Sequence, residues 1–127
     1  RIFGPTKGLA KIESSKVFSK ELMKKYNVPT AEFQVFKDAE EAKDYIRTKG
    51  APIVVKADGL AYGKGVVVAK DKEEALGAIA NMMDFKVFGE SGATVVIEEC
   101  LEGEEASILV ISDGEDFVCL ASSQDHK

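Results

Sequence analysis

The segment at residues 54 to 70, VVKADGLAYGKGVVVAK, constrains the fold of this chain more than any other stretch. Two runs rich in β-branched residues flank a short glycine-rich joint at residues 59 to 65. A crossover between parallel strands needs about a dozen residues or more, so this connection predicts an antiparallel hairpin. Glycine brings no side chain to a strand and loses much backbone entropy on folding. Packing alone therefore does not explain the joint.

Helix and strand signals alternate along the rest of the chain. Apolar residues at three- and four-residue steps predict a helix over 13 to 26, and alternation predicts a strand over 32 to 37. The similar stretches KDAEEA and KDKEEA each place an aspartate before a further helix, at 38 to 50 and near 74 to 85. We interpret them as two strand-to-helix junctions with the same capping chemistry, because two copies do not make a repeat protein.

Three more strands are predicted towards the end of the chain, at 93 to 100, 105 to 112 and 116 to 122. The turn between the last two is too short for a parallel crossover and predicts a second hairpin. With three helices and about six strands, the expected fold is α+β, with a largely antiparallel sheet and helices packed on one face.

Composition narrows the classes of function. The chain has 127 residues, the size of one modest domain, and a net charge of -5 from 17 basic and 22 acidic residues. This balance argues against a nucleic-acid footprint, and no apolar run approaches the roughly 20 residues that span a membrane. The chain opens on Arg1 without a signal pattern, so we expect an excerpt and not a secreted precursor. Cys100 and Cys119 are expected to be reduced core residues, which favours a cytoplasmic protein.

The glycine joint matches neither of two familiar phosphate-binding loops. Three residues separate Gly59 from the next glycine, where a Walker loop needs four, and the run after Gly65 does not begin a helix. What remains is a flap-like hairpin whose backbone N–H groups can approach a polyphosphate, with Lys64 at its tip. Lys56 lies in an apolar strand, so it must snorkel, pair with an acid such as Asp58, or meet a bound anion.

A run of carboxylates follows the strand predicted at 93 to 100. Five glutamates crowd into eight positions, namely Glu98, Glu99, Glu102, Glu104 and Glu105. Like charges repel, so such a run is often a solvated turn. Alternatively, main-chain groups at the strand end can read an adenine edge, and a later carboxylate can accept from ribose hydroxyls. These residues alone leave both interpretations open.

Five stretches in order resemble one known family. They are FGPTKGLAKIESSK, NVPTAEF, GAPIVVKADGLAYGKGVVVA, EECLEGEEAS and SQDHK, and they run nearly from end to end. The lysines, the flap and the acidic segment resemble the ATP-grasp superfamily. Taken together, the five stretches more closely resemble the glycinamide ribonucleotide synthetases, the phosphoribosylamine–glycine ligases of purine synthesis. Tyr62 departs from the family, which usually has a small residue there.

The resemblance implies a site for ATP. Lys16 and Lys56 would contact phosphates under the flap, main-chain groups at 98 to 101 would hold adenine, and Glu105 would contact ribose. The residues implied for the nucleotide are Lys16, Lys56, Gly59, Gly63, Lys64, Gly65, Glu98, Glu99, Leu101 and Glu105. Those implied for the phosphoribosylamine and acyl-transfer side are Gly4, Pro5, Thr6, Gln124, Asp125, His126 and Lys127. His126 would be either a hydrogen-bonding scaffold or a proton carrier.

The resemblance also implies a reaction. The glycine carboxylate attacks the γ-phosphate of ATP to give glycyl phosphate, and the amine of phosphoribosylamine then forms the amide of glycinamide ribonucleotide. Mg²⁺ or Mn²⁺ would help neutralise the phosphoryl oxygens. The family's metal ligands lie beyond the part matched here, after Lys127. This segment alone is therefore expected to be inactive.

Finally, the resemblance predicts the organisation of the chain. Residues 1 to 127 would be a partial ATP-grasp domain, with leading helices and a linking strand in 1 to 50. Residues 51 to 127 would hold the nucleotide-binding strands, the flap and the adenine segment. The implied partners are ATP, glycine, phosphoribosylamine and flanking domains of the same parent chain, with no nucleic acid or membrane. Another ATP-grasp carboxylate–amine ligase or carboxylase, or a non-catalytic nucleotide-binding module, is the alternative.

Overall fold

The computed structural model describes residues 4–61 and 64–124. Within these residues, four strands form one sheet in the order β1-β4-β2-β3, and two more form a separate hairpin. The strands are β1 (Phe33–Phe36), β2 (Ile53–Ala57), β3 (Val66–Ala69), β4 (Val95–Glu99), β5 (Val110–Ser112) and β6 (Phe117–Cys119). All pairings between these strands are antiparallel. Both predicted hairpins and the α+β fold class are confirmed.

The helices are α1 (Lys11–Ser14), α2 (Lys16–Lys25), α3 (Ala39–Lys49) and α4 (Lys72–Ile79). A π-helical turn, Ala80–Asp84, continues α4, and a 3-10 turn spans Gly89–Gly92. The helix predicted over 13 to 26 is instead two helices, because Ser15 is extended, with φ -135° and ψ 114°. The Ser15 hydroxyl begins α2 by accepting from the amide of Phe18 at 3.1 Å.

The two KD-EEA junctions form capped helix starts, as predicted. Asp38 accepts a hydrogen bond from the amide of Glu41 at 3.0 Å, and Asp71 accepts one from the amide of Glu74 at 2.8 Å. The Glu74 carboxylate also accepts from the backbone amide of Lys70 at 2.9 Å. Local capping therefore sets where α3 and α4 begin.

The hydrophobic core lies between one face of the four-stranded sheet and helices α3 and α4. Val55 of β2 and Ile97 of β4 face Ile46, Ile79 and the π-helical turn across this core. All four of these side chains are at most 1% exposed. Burying a side chain of this size contributes about 1.5–3 kcal/mol, so this layer holds the sheet and helices together.

Helix α2 lies on the opposite face of the sheet. Side chains alternate along a strand, so Glu98 and its cross-strand partner Phe33 point away from the core that contains Ile97. The ammonium of Lys20 in α2 lies 3.0 Å from Glu98 and 5.6 Å from the centre of the Phe33 ring. The prediction of helices on one face thus holds for α3 and α4, whereas α2 covers the other face, where its Lys20 pairs with buried Glu98.

The two cysteines differ in burial. Cys100 is partly buried, but Cys119 is exposed on the β5–β6 hairpin. The expectation of two core cysteines is therefore wrong for Cys119, because all residues of β5 and β6 are exposed. None of the helices in residues 4–61 and 64–124 combines the length and hydropathy needed to cross a membrane.

Candidate functional site

The start of the glycine joint is tied to the N-terminus of α2. The Asp58 carboxylate accepts from the backbone amide of Val17 at 2.8 Å and from the hydroxyl of Ser15 at 3.1 Å. A negative charge there is favourable because the first amides of a helix carry a partial positive charge. We call these bonds of Asp58 to Ser15 and Val17 the clamp. The clamp sets Lys16 beside the joint, where the Lys16 ammonium donates to the carbonyl of Gly59 at 3.1 Å.

Lys20, Lys56 and Glu98 form a compact ionic group, which we call the Glu98 cluster. The two ammonium groups lie 3.0 Å and 2.9 Å from the same carboxylate oxygen, Oε2. The Glu98 side chain is 5% exposed, and that of Lys20 is 10% exposed. The other oxygen, Oε1, is buried and has no hydrogen-bond partner among the described residues. Two cations around one carboxylate leave a local excess of positive charge.

A cavity of about 410 Å³ brings these groups together on the face of the sheet that α2 covers. Its volume lies in the range of about 300–1,000 Å³ typical of small-molecule sites. The charged groups in its wall are Lys16, Lys20, Lys56, Glu13 and Glu98. Gly59 and apolar side chains, including Met23, Leu60 and Val66, complete the wall. This combination suits a ligand with an anionic part and an apolar part.

Close packing requires glycine at both described ends of the joint. The amide of Gly59 donates to the carbonyl of Ser91 at 3.3 Å. A Cβ at Gly59 would lie 2.7 Å from the Cβ of Ser91, and one at Gly65 would collide with the side chain of Ala61. The 3-10 turn therefore packs directly against Gly59, at the start of the joint.

The structure does not bring Lys64 to the same cavity. Lys64 lines a smaller cavity of about 330 Å³ with Val67, Met82 and Phe88, on the side of the sheet that carries α4. Gly65 is buried, and its carbonyl accepts from the amide of Ala57 at 2.8 Å. Gly63 and Tyr62, also part of the predicted flap, lie outside the described residues.

The end of β4 contributes one side chain to the cavity. Glu98 lines it, whereas the Glu99 carboxylate turns to β1 and accepts from the amide of Glu32 at 2.9 Å. The amide of Glu99 also donates to the carbonyl of Glu32 at 3.0 Å. Leu101 is 68% exposed, and Glu105 is exposed on the segment that follows. Of the predicted adenine and ribose residues, only Glu98 is part of the wall.

The described residues among those predicted for the second substrate do not line the cavity of the Glu98 cluster. Gly4, Pro5 and Thr6 line a cavity of about 620 Å³ together with the β5–β6 turn. Gln124 is exposed and is not part of the wall of this cavity. Asp125, His126 and Lys127 lie outside the described residues.

Lys20 is absent from the predicted site, and Asp58 binds a different group from Lys56. Lys20 follows Lys16 by four positions and therefore shares its face of the helix, which is a signal that could have identified it. The sequence offers Asp58 as one possible partner of Lys56, but Asp58 binds the start of α2, and Lys56 pairs with Glu98 instead. The pairing of β2 with β4 brings Glu98 close to Lys56, and this pairing cannot be read from the neighbouring residues.

Two charged groups outside the cavity, Lys43 and Asp113, have shifted pKa values. Among the described residues, no group of three or more His, Cys, Asp or Glu side chains could hold a metal ion. On the surface of α3, hydrogen bonds to Asp84 and Glu40 raise the pKa of Lys43. At the β5–β6 turn, the backbone amide of Asp116 lowers the pKa of Asp113 by hydrogen bonding to its carboxylate. Neither group lines the cavity of the Glu98 cluster.

Sequence comparisons identify relatives over the whole chain. The family model described as "Phosphoribosylglycinamide synthetase, ATP-grasp (A) domain" matches residues 14–127. A protein of Ralstonia nicotianae named phosphoribosylamine–glycine ligase is 58% identical over 127 residues, which is 100% of this chain and 30% of that protein. A protein of the same name from Escherichia coli O157:H7 is 54% identical over the same coverage. The chain thus spans less than a third of the length of these relatives.

Solved structures agree with the fold. The phosphoribosylamine–glycine ligase of Thermotoga maritima superimposes with a TM-score of 0.86 at 41% identity, covering 94% of this chain and 31% of that one. The biotin carboxylase domain of the 2-oxoglutarate carboxylase of Hydrogenobacter thermophilus, solved with MgADP, ADP and bicarbonate, gives a TM-score of 0.74 at 26% identity, covering 94% of this chain and 27% of that one.

Proposed function

Because this chain belongs to the phosphoribosylglycinamide synthetase ATP-grasp domain family, we propose that it is the ATP-binding segment of a ligase that joins glycine to 5-phosphoribosylamine. The glycine carboxylate attacks the γ-phosphate of ATP, and ADP leaves. The amine of phosphoribosylamine then displaces phosphate from glycyl phosphate, giving glycinamide ribonucleotide for de novo purine synthesis. This chemistry needs no protein nucleophile, so the protein acts by positioning and by stabilising charge.

One observation carries the proposal. Lys16 and Lys56 come from different elements, α2 and β2, yet both line one cavity beside Gly59, where the glycine joint begins. The chain as a whole carries a net charge of -5, so this local collection of ammonium groups is not a general feature of its surface. An ammonium that meets a phosphoryl oxygen in a partly dehydrated site stabilises the charge that shifts during transfer.

The remaining roles follow the family resemblance. Lys16 and Lys56 contact phosphates, the joint from Gly59 to Gly65 covers them, main-chain groups at 98 to 101 hold adenine, and Glu105 binds ribose. The residues at 4 to 6 and 124 to 127 serve the phosphoribosylamine and acyl-transfer side. In this proposal residues 1 to 50 are the leading part of the domain, and residues 51 to 127 carry the nucleotide-binding strands. Small metabolites as substrates suit a cytoplasmic location.

Magnesium, or manganese, belongs to the proposal only through residues elsewhere in the parent protein. Among the described residues, no three carboxylate, imidazole or thiolate side chains converge to hold a metal ion. A divalent ion bound to ATP would neutralise phosphate charge. Its protein ligands are expected after Lys127.

The test is a steady-state assay with ATP, glycine and 5-phosphoribosylamine. It uses the full-length parent protein, which we call the intact protein. We expect ADP to form only when both other substrates are present, with glycinamide ribonucleotide identified by mass spectrometry. Lys56→Met should weaken ATP binding about tenfold or more, since a charge-assisted contact is lost. Lys49→Met, at the exposed end of α3, is the matched control and should bind ATP as the wild type does.

Three other outcomes would contradict the proposal in different ways. ADP formation that depends on another acid or amine would indicate a different ATP-grasp ligase or a carboxylase. Tight ATP binding without turnover under any substrate combination would indicate a non-catalytic module. Equal ATP affinities of Lys56→Met and the wild type would make Lys56 a structural residue only.

A further inference from the structure

Glu98 pairs with two ammonium groups, although one would be enough to neutralise its carboxylate. Its Oε2 oxygen lies 3.0 Å from the Lys20 ammonium and 2.9 Å from the Lys56 ammonium. A carboxylate that is 5% exposed is costly to bury alone, so at least one of these cations must remain with it. The second cation is in excess and can be used elsewhere.

The two lysines are held to different degrees. Lys20 also donates to the Thr30 hydroxyl at 2.7 Å and lies 5.6 Å from the centre of the Phe33 ring. Its side chain is 10% exposed, against 27% for Lys56. Glu98 is the one hydrogen-bond acceptor found for the Lys56 ammonium among the described residues. Lys20 is therefore the fixed cation of the cluster, and Lys56 is the one that can move.

We propose that Lys20 is a positioning residue that keeps Glu98 neutralised while Lys56 leaves this carboxylate for a phosphate of the bound nucleotide. The inference rests on the proposed function, since it needs an anionic ligand in the cavity. Without Lys20, Lys56 would be the only cation paired with Glu98 among residues 4–61 and 64–124. Its transfer to a phosphate would then leave a buried carboxylate unpaired, and part of the phosphate affinity would be lost.

The experiment compares ligands that differ only in phosphate. Dissociation constants for ATP and for adenosine are measured by calorimetry on the intact protein and its Lys20→Met variant. We expect Lys20→Met to weaken ATP binding about 10- to 100-fold, and adenosine binding less than about threefold. Lys24→Met is the matched control, because Lys24 lies one turn further along α2 and 6.0 Å from the same Phe33 ring. It should leave both constants unchanged.

A second pair of variants separates charge from packing. In a Glu98→Gln background no carboxylate remains to be compensated, so adding Lys20→Met should cost less than about threefold in ATP affinity. Lys20→Arg keeps the cation and should restore most of the affinity that Lys20→Met loses. Circular dichroism and thermal unfolding of each variant identify any loss that comes from misfolding.

Several results would overturn the inference. It fails if Lys20→Met weakens ATP and adenosine by the same factor, if it changes neither, or if its cost persists in the Glu98→Gln background. These outcomes leave the proposed function intact as long as the wild type binds ATP and turns over. A wild type that binds no ATP would overturn the proposed function and the inference together.

Discussion

Gly59→Ala should destabilise the protein, because the added methyl group would collide with Ser91. The Cβ of Gly59→Ala would lie 2.7 Å from the Cβ of Ser91 and 3.0 Å from its Cα, so the backbone of the 3-10 turn or of the joint must shift. Overpacking of this kind costs about 1–3 kcal/mol. The hydrogen bond of 3.3 Å from the Gly59 amide to the Ser91 carbonyl would weaken as the two segments separate. Its loss adds about 0.5–1.5 kcal/mol, for a total of about 1.5–4.5 kcal/mol.

The assay is urea unfolding of the intact protein, with the free energy obtained by linear extrapolation. Gly77→Ala is the matched control, because no atom lies within 4 Å of a Cβ built on this exposed glycine of α4. It should stabilise the protein by about 0.5–1 kcal/mol, since alanine favours a helix interior. Adding Ser91→Gly to Gly59→Ala removes the closest side-chain atoms and should restore part of the loss. A Gly59→Ala variant as stable as the wild type would refute the steric argument.

Two further predictions concern single charged groups. Asp58→Ala removes the acceptor of the Val17 amide and of the Ser15 hydroxyl at the start of α2, and should cost about 1–2 kcal/mol. It should also weaken ATP binding, because these bonds hold Lys16 beside the joint. Asp38→Ala removes the corresponding cap of α3 and should cost similar stability without changing ATP affinity, so equal ATP constants for the two variants would refute the clamp. A hydrogen bond to Asp84 raises the pKa of Lys43 in the folded protein above its usual value of 10.5. The ion pair therefore stabilises the protein fully below pH 10.5, and this stabilisation is lost as the pH rises through the pKa of the folded state. Urea midpoints from pH 7 to about 11.5 should show Lys43→Met less stable than the wild type at pH 7 and the gap closing in alkali. A gap that does not change with pH would contradict this.

Local patterns predicted most of the elements. The hairpin of β2 and β3 followed from the short joint at 59 to 65, and the starts of α3 and α4 followed from their aspartate caps. These signals act between residues close in sequence, so no knowledge of the fold was needed. The one helix that was predicted incorrectly, over 13 to 26, is broken at Ser15 because this residue serves a distant carboxylate, Asp58, as well as its own helix.

The candidate site was predictable only in part. The resemblance named Lys16 and Lys56, and both line the cavity. It also named Lys64, which instead lines a separate cavity with Val67, on the side of the sheet that carries α4. Lys20 was not named, since a lysine in an amphipathic helix is usually a solvated residue and only its partner Glu98 marks it as different.

The amino-acid sequence by itself determined the elements, the antiparallel connections and the family, because capping, hydrophobic period and turn length are properties of neighbouring residues. The tertiary structure decided which charges meet. Glu98 is far from Lys20 and Lys56 along the chain, and they converge only because β4 pairs with β2 while α2 crosses the open face of the sheet. Burial makes this ion pairing necessary, since a carboxylate removed from water needs a counter-charge nearby.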